Sequence, residues 1–374
     1  MVCFTYFVTL ALAYAGVVSA FPAHASLAGL SRDEVDRVLS SLEQATPSPP
    51  PGPLSDSGTK LVNDDLHPYI APGENDIRGP CPALNALASH GYINRNGIAN
   101  PAEIITAVME GFNMDHGVAV YTTYAAFIVD GNLITNLLSI GEKTSLTGRS
   151  SSGTATAGGL NTHNTFEGDS SITRMDAYFG DNHNFNEKLF QEFIEYSNKY
   201  GGGKYNLSVA CEFRRKRFQD SIATNPEFTI VAPRFYTAYA DAVLPINLWV
   251  DGRQDDGQLD IEAARTFFEG GRFPPDFHRA ARPMGANNEM VVFEAHPIEP
   301  GSNVKGVNTY TPDHSTPQKL DDLCVQYTFH VENTVRKMYP NPEGPLLESL
   351  KINLGYLFSA VKDKGCEELF PYGR

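Results

Sequence analysis

Apolar residues recur in this chain at helical spacing, directly behind residues that start helices. Asn100 precedes Pro101, and Ile104, Ile105, Val108, Met109 and Phe112 then share one face. Asn186 precedes Leu189, Phe190, Phe193, Ile194 and Tyr196, and Gly201-Gly202-Gly203 stops that run. A further pattern spans Val209 to Asp220, and Gly117 to Val129 is apolar enough to be buried on most sides. Pro233 is expected to open a helix that Pro245 ends, Asp260 to begin a short one through Ala264 and Phe268, and Ser349 to Val361 to form the last. Val291-Val292-Phe293 reads as a minor strand, and Arg149 to Gly159 as a loop. The expected fold is mainly α, one compact helical domain over residues 46–374 with minor short strands. Hydrophobic residues make up 41% of the chain, enough for a sizeable core. A net charge of −15 argues against nucleic acid as a partner, because phosphate contacts need clustered Lys and Arg.

The N-terminus sets an expected compartment. Phe4 to Val18 is apolar and uncharged, and Val18-Ser19-Ala20 offers small residues for cleavage. Residues 1–20 therefore read as a secretory signal peptide, the alternative being a short membrane anchor. Ser26 to Gln44 carries Leu27, Leu30, Val35, Val38, Leu39 and Leu42 at roughly helical spacing, ahead of the proline run from Pro47 to Pro53. Residues 21–45 read as a propeptide or as an ordinary N-terminal arm. No later segment is long and apolar enough to span a bilayer, so the mature chain is expected to be extracellular, without a membrane anchor. In a secreted chain Asn206-Leu207-Ser208 is a glycosylation sequon.

Cys3 leaves with the leader, and Cys81, Cys211, Cys324 and Cys366 allow three complete pairings. Cys81 lies in Gly79-Pro80-Cys81-Pro82-Ala83-Leu84, where Pro82 suits the first position of a helix. Cys81 is then the N-cap, and free N–H groups and the positive dipole end favour thiolate there. The other reading is a half-cystine. A Cys324–Cys366 bridge would close a loop of about 40 residues, worth about 4 kcal/mol in the loop-entropy account. Cys211 falls in a helical pattern and reads as a free buried thiol.

Three clusters bear chemistry. A thiolate at Cys81 would serve as a nucleophile, a metal ligand or an electron-rich axial ligand to haem iron. Phe166-Glu167-Gly168-Asp169-Ser170-Ser171 offers hard oxygens around one glycine, suited to Mg²⁺ or Ca²⁺, or is a solvated acidic turn. Arg234 and Asp241 stand two helical turns apart among Phe235, Tyr236, Ala238 and Tyr239. Buried there, they form either a structural ion pair or a proton-moving carboxyl with a charge-stabilising guanidinium. The chain contains no C-x-x-C, H-E-x-x-H, P-loop or G-x-S-x-G motif.

Together these residues resemble the long form of the fungal unspecific peroxygenases, in the haem-thiolate peroxidase superfamily. The resemblance runs through Ile77-Arg78-Gly79-Pro80-Cys81-Pro82, Ser89-His90-Gly91-Tyr92, Phe166-Glu167-Gly168-Asp169, Lys204-Tyr205-Asn206-Leu207 and Phe370-Pro371-Tyr372-Gly373. It implies a haem b enzyme of chloroperoxidase-like fold with Cys81 as axial iron ligand. It also implies a Mg²⁺ held by Glu167, the Gly168 carbonyl and Ser171 beside a haem propionate. Arg234 would be the distal charge-stabilising residue and Asp241 the acid–base. Cys324 and Cys366 match the long form's C-terminal bridge, and the related chloroperoxidases carry His where this chain has Gly168.

The implied activity is oxygen insertion, RH + H₂O₂ → ROH + H₂O, with aromatics, alkanes and halides as candidate substrates. The rival functions are one-electron or halide-oxidising peroxidase, and a non-catalytic haem-binding protein. The implied channel residues are Met114, Tyr121, Phe166, Tyr236, Thr237 and Leu244. Two of them depart from the family's phenylalanines, since Met114 and Leu244 are flexible and non-planar, which would favour bulkier or aliphatic substrates. The family normally has Glu where this chain has Asp241, one methylene shorter. Reaching the same proton then requires a water or a shifted helix.

Overall fold

The computed structural model describes residue 27 and residues 32–149, 157–304 and 309–373. The expected signal peptide, most of the stretch before the first helix, and residues 150–156 of the expected Ser/Gly loop lie outside them. Helices dominate: α1 Arg32–Leu39, α2 Pro82–Ser89, α3 Pro101–Phe112, α4 His116–Asp130, α5 Glu187–Gly201 and α6 Leu207–Thr224. They continue as α7 Arg234–Leu248, α8 Ile261–Phe268, α9 Glu289–Ala295, α10 Leu323–Phe329, α11 Arg336–Met338 and α12 Gly344–Ser359. A π-helical turn, His330–Val335, joins α10 to α11.

The strands are short and antiparallel. β1 (Ile98–Ala99) pairs with β2 (Leu138–Ser139), and β3 (Lys204–Tyr205) with β5 (Leu259–Asp260). β4 (Thr229–Ile230), β6 (Gly301–Val304) and β7 (Thr309–Pro312) form a sheet in that order. They fasten the ends of helices rather than build a layer.

The caps explain where helices start. Asn100 and Glu103 form a reciprocal capping box on α3. Asp115, Asn186 and Asn206 each accept from a backbone N–H in the first turn of α4, α5 and α6. The Asn206 amide also donates to Gln258 Oε1 at 2.9 Å, which leaves one N–H on the sequon nitrogen for a sugar. The core is one continuous cluster in which Phe127, Ile128 and Val129 of α4, Leu350 and Leu354 of α12, and Phe213 and Phe218 of α6 are buried.

Three local expectations are corrected. α7 does not stop at Pro245 but runs through it to Leu248. A mid-helix proline costs about 3 kcal/mol, and here Val243, Ile246 and Leu248 are buried against the core on either side of it. Val291-Val292-Phe293 is helical, not a strand. Val292 is buried and the Phe293 ring packs edge-on to Phe235 and Tyr239, so packing overrides the β preference of valine. α12 starts earlier, at Gly344, with Pro345 in its first turn.

Cys324 and Cys366 are disulfide-bonded across 42 residues, and Cys81 and Cys211 are free. Cys211 is half-buried rather than sealed in the core. A Cys324→Ser, Cys366→Ser variant should lose about 4 kcal/mol of stability. Equilibrium denaturation of the two proteins measures it, and equal midpoints would contradict it.

Candidate active site

Cys81 enters α2 as its N-cap, with φ −84° and ψ 108°, and its side chain makes no capping hydrogen bond. The turn that presents it is held from inside the helix. The Asn85 amide accepts from Gly79 N–H and donates to Gly79 C=O, both at 2.9 Å. This reciprocal pair closes the Gly79-Pro80-Cys81-Pro82 turn as a rung closes a ladder. Gly79 has no room for a side chain, since a Cβ would lie 1.8 Å from the Ile140 carbonyl oxygen.

Burial pushes the Cys81 thiol up, against the expectation of a helix-start thiolate. The Leu84 and Ala83 N–H groups and the Arg174 guanidinium act in the opposite direction, and the Asp241 charge adds to the burial effect. The helix start therefore favours thiolate, but in the bare protein it is outweighed.

Asp241 lies on α7. Its side chain is solvent-accessible, and Cys81 and Tyr121 are half-buried. The Asp241 charge acts on the Cys81 thiol, so the start of α2 lies near the Asp241 face of α7. Burial raises the Asp241 carboxyl to about 6, Arg214 opposes the rise, and the Glu167 charge adds to it.

Arg234 and Asp241 form no ion pair. Arg234 is 1% exposed, and its Nη1 donates to the Asn164 carbonyl at 2.8 Å. Its Nε and Nη2 have no partner. Burial lowers its pKa to about 10, with Asp169 and Glu167 acting the other way. A buried guanidinium with two unused donors is costly unless something else supplies acceptors.

The Glu167 loop wraps around Arg234. Asn164 and Ser170 take positive φ, and Asn164 N–H bonds the Glu167 carbonyl at 3.1 Å. The Thr165 hydroxyl donates to Asp130 at the end of α4. His163 Nδ1 lies 3.0 Å from Glu167 Oε2 and its Nε2 3.6 Å from Asp169 Oδ1. A Cβ on Gly168 would meet Cδ of Arg234 at 2.9 Å and Cβ and Cγ at 3.0 Å. Arg234 thus occupies the space that a side chain at 168 would fill.

Gly168→Ala is therefore expected to shift Arg234 near its own backbone. On the activity that the sequence resemblance implies, peroxide-dependent kcat/KM should fall by about tenfold, since displacements near 1 Å are felt at this scale. Stopped-flow kinetics with peroxide checks it, and an unchanged rate would contradict it.

Met114, Phe166, Thr237 and Leu244 are half-buried, as is Tyr121. Tyr236 is 7% exposed, and its hydroxyl is committed to the Pro317 carbonyl at 2.8 Å. It can offer a ring face but no polar contact. Among the described residues no three His, Cys, Asp or Glu side chains gather as a metal centre.

Sequence reasoning missed Asn85, His163, Arg174 and Arg214. Arg214 is buried on α6, where it donates to the Ala238 and Ser170 carbonyls and lies over the Phe218 ring. Its one visible signal was a charge placed between Phe213 and Phe218.

The Cys81 thiol is free, and Arg234, on the same helix as Asp241, keeps two donors unused. The family model "Peroxidase, family 2" matches residues 67–282, and the chain belongs to that family. It is 55% identical over 363 residues to an aromatic peroxygenase of Cyclocybe aegerita, covering 97% of both chains. It is 56% identical over 235 residues to an aromatic peroxygenase of Coprinellus radians, covering 62% of this chain and 88% of that one. A chloroperoxidase of Leptoxyphium fumago is 31% identical over 160 residues, 38% of this chain and 37% of that protein.

Proposed function

We propose that this chain is a secreted haem-thiolate peroxygenase that inserts oxygen from H₂O₂ into aromatic rings and C–H bonds, RH + H₂O₂ → ROH + H₂O. The 55% identity to an aromatic peroxygenase across 97% of both chains carries the reading. The free Cys81 thiol, the solvent-accessible Asp241 carboxyl and the unused donors of Arg234 fit a bound haem b. Haem, when bound, supplies the redox-active iron at which peroxide is cleaved.

Cys81 would hold the haem iron through its thiolate, which the Ala83 and Leu84 N–H groups favour. Asp241 takes the proton from the incoming peroxide and returns it to the leaving oxygen as water forms. Arg234 directs Nε and Nη2 at the negative charge that develops as the O–O bond lengthens. Tyr121, Phe166 and Leu244 give the substrate an apolar wall. Glu167, the Gly168 carbonyl and Ser171 would be the oxygen donors for Mg²⁺.

The apolar Phe4–Val18 leader and the Cys324–Cys366 bridge support an oxidising, extracellular destination, with Asn206 as the glycan site. No described helix is long and apolar enough to cross a membrane. The chloroperoxidase relative supports halide oxidation as a side activity.

The test is oxygen-label transfer. Secreted protein receives ¹⁸O-labelled peroxide and a non-phenolic aromatic, and the product is weighed by mass spectrometry. Label in the hydroxylated product is the expected result. Coupled or unlabelled products would indicate one-electron peroxidase instead, and haem-loaded protein without turnover would indicate a binding protein.

A further inference from the structure

Two buried arginines, Arg279 and Arg217, are well supplied with acceptors. Arg279, fully buried, donates to the Gly58, Asp56 and Glu110 carbonyls and pairs with the Glu110 carboxylate. Arg217 has the Ser171 carbonyl, Asp220 and Asp176. Arg174, like Arg214 and Arg234, is not so supplied. It is 3% exposed, and its Nη1 donates to the Thr173 hydroxyl at 2.6 Å. Its Nε is sealed from solvent with no partner, and no carboxylate among the described residues lies within ion-pair distance.

The backbone that carries Arg174 is pinned. Ser171 C=O accepts from Arg217 Nε at 2.8 Å, Thr173 C=O accepts from Asn186 N–H at 2.9 Å, and Asp176 accepts from Ser170 N–H at 2.9 Å. The guanidinium cannot easily swing to solvent. Cys81 and Asp181 are the charged groups near enough to act on it. A buried cation with a spare donor near the Cys81 thiol is suited to an anion carried by the cofactor.

Resting on the haem-thiolate reading above, we propose that Arg174 is a cofactor-anchoring residue that takes a carboxylate of haem b and supplies a counter-charge to the Cys81 thiolate. This carboxylate contact is separate from the oxygen donors of the Glu167 loop. One fixed cation would then hold the porphyrin edge and favour the charged axial ligand together.

The experiment measures haem loss from the holoenzyme to excess apomyoglobin, for wild type, Arg174→Gln and Arg174→Lys. The Gln variant should release haem about tenfold to a hundredfold faster, the scale of one charge-assisted hydrogen bond, and the Lys variant should fall between. Reconstitution with haem dimethyl ester, which has no free carboxylate, should bring wild type and the Gln variant to the same rate. Equal rates with ordinary haem, or a gap that survives esterification, would overturn the proposal. If the Gln variant does not accumulate, the propionate-bending band in resonance Raman spectra decides between wild type and the Lys variant. A shifted band supports the contact and an unchanged one overturns it. A wild type that carries no haem would instead sink the functional reading on which the proposal rests.

Discussion

Replacing Cys81 by Ser is expected to leave a folded protein whose peroxide-driven oxygen transfer falls by roughly 10³-fold or more. Folding should survive because the turn is held by others: Asn85 clamps Gly79 on both sides, and Pro82 starts α2 whatever the N-cap residue. Serine is also a good N-cap, so α2 itself loses nothing. What disappears is the soft, electron-rich ligand. Two readouts check this together, product formation and the Soret band of the reduced carbon-monoxide complex. Retained oxygen transfer with an unchanged spectrum would remove Cys81 from the site.

The second large effect concerns Asp241. Asp241→Asn should cost about 10²- to 10⁴-fold in kcat/KM for peroxide, the range of a lost acid–base group. The wild-type pH profile carries a sharper test. Burial raises this carboxyl to about 6, so the proton-accepting form predominates above that pH. The peroxide step should slow as pH falls through about 6, by about tenfold per unit well below it. The Asn variant should show no such limb. The same shift affects stability in a fixed direction. Because the folded-state pKa lies above the unfolded one, protonation favours the fold, and that contribution is lost as pH rises through about 6. A profile of the peroxide step that is flat from pH 4 to pH 8 would contradict the assignment.

Much of the site was legible because its signals are local. A proline on each side of Cys81 fixes a helix start, and Asn100 and Asn186 mark helix starts by accepting from a backbone N–H three residues on. Arg234 and Asp241 stood out because charges among aromatics on one helix need a reason. Their relation was not legible. Two turns apart, they could have paired, and the structure gives Arg234 to Asn164 and the Glu167 loop instead. Pro245 and Val291 misled for the same reason: each obeys a local rule that burial elsewhere overrules. Asn85, Arg174 and Arg214 were invisible because their meaning lies in partners far along the chain, or in the absence of a partner. The Gly168 difference was noted as a residue type. Only the contact with Arg234 shows its cause.

Both ends of the domain are fastened to the rest of the molecule. The Tyr356 hydroxyl of α12 donates to the Pro47 carbonyl at 3.2 Å, and His116, at the start of α4, holds the Pro51 carbonyl at 2.8 Å. Beyond α12 the chain turns back, where Cys366 is bonded to Cys324 and Leu369 N–H reaches the Tyr327 hydroxyl at 3.1 Å. α4 and α12 pack directly on each other, so the N-terminal arm is tied to one helix pair and the C-terminal segment to α10. Fraying and proteolytic trimming ordinarily begin at loose ends. With both segments held in this way, the first cuts of a protease would fall on internal projections such as the exposed Tyr178-Phe179 tip.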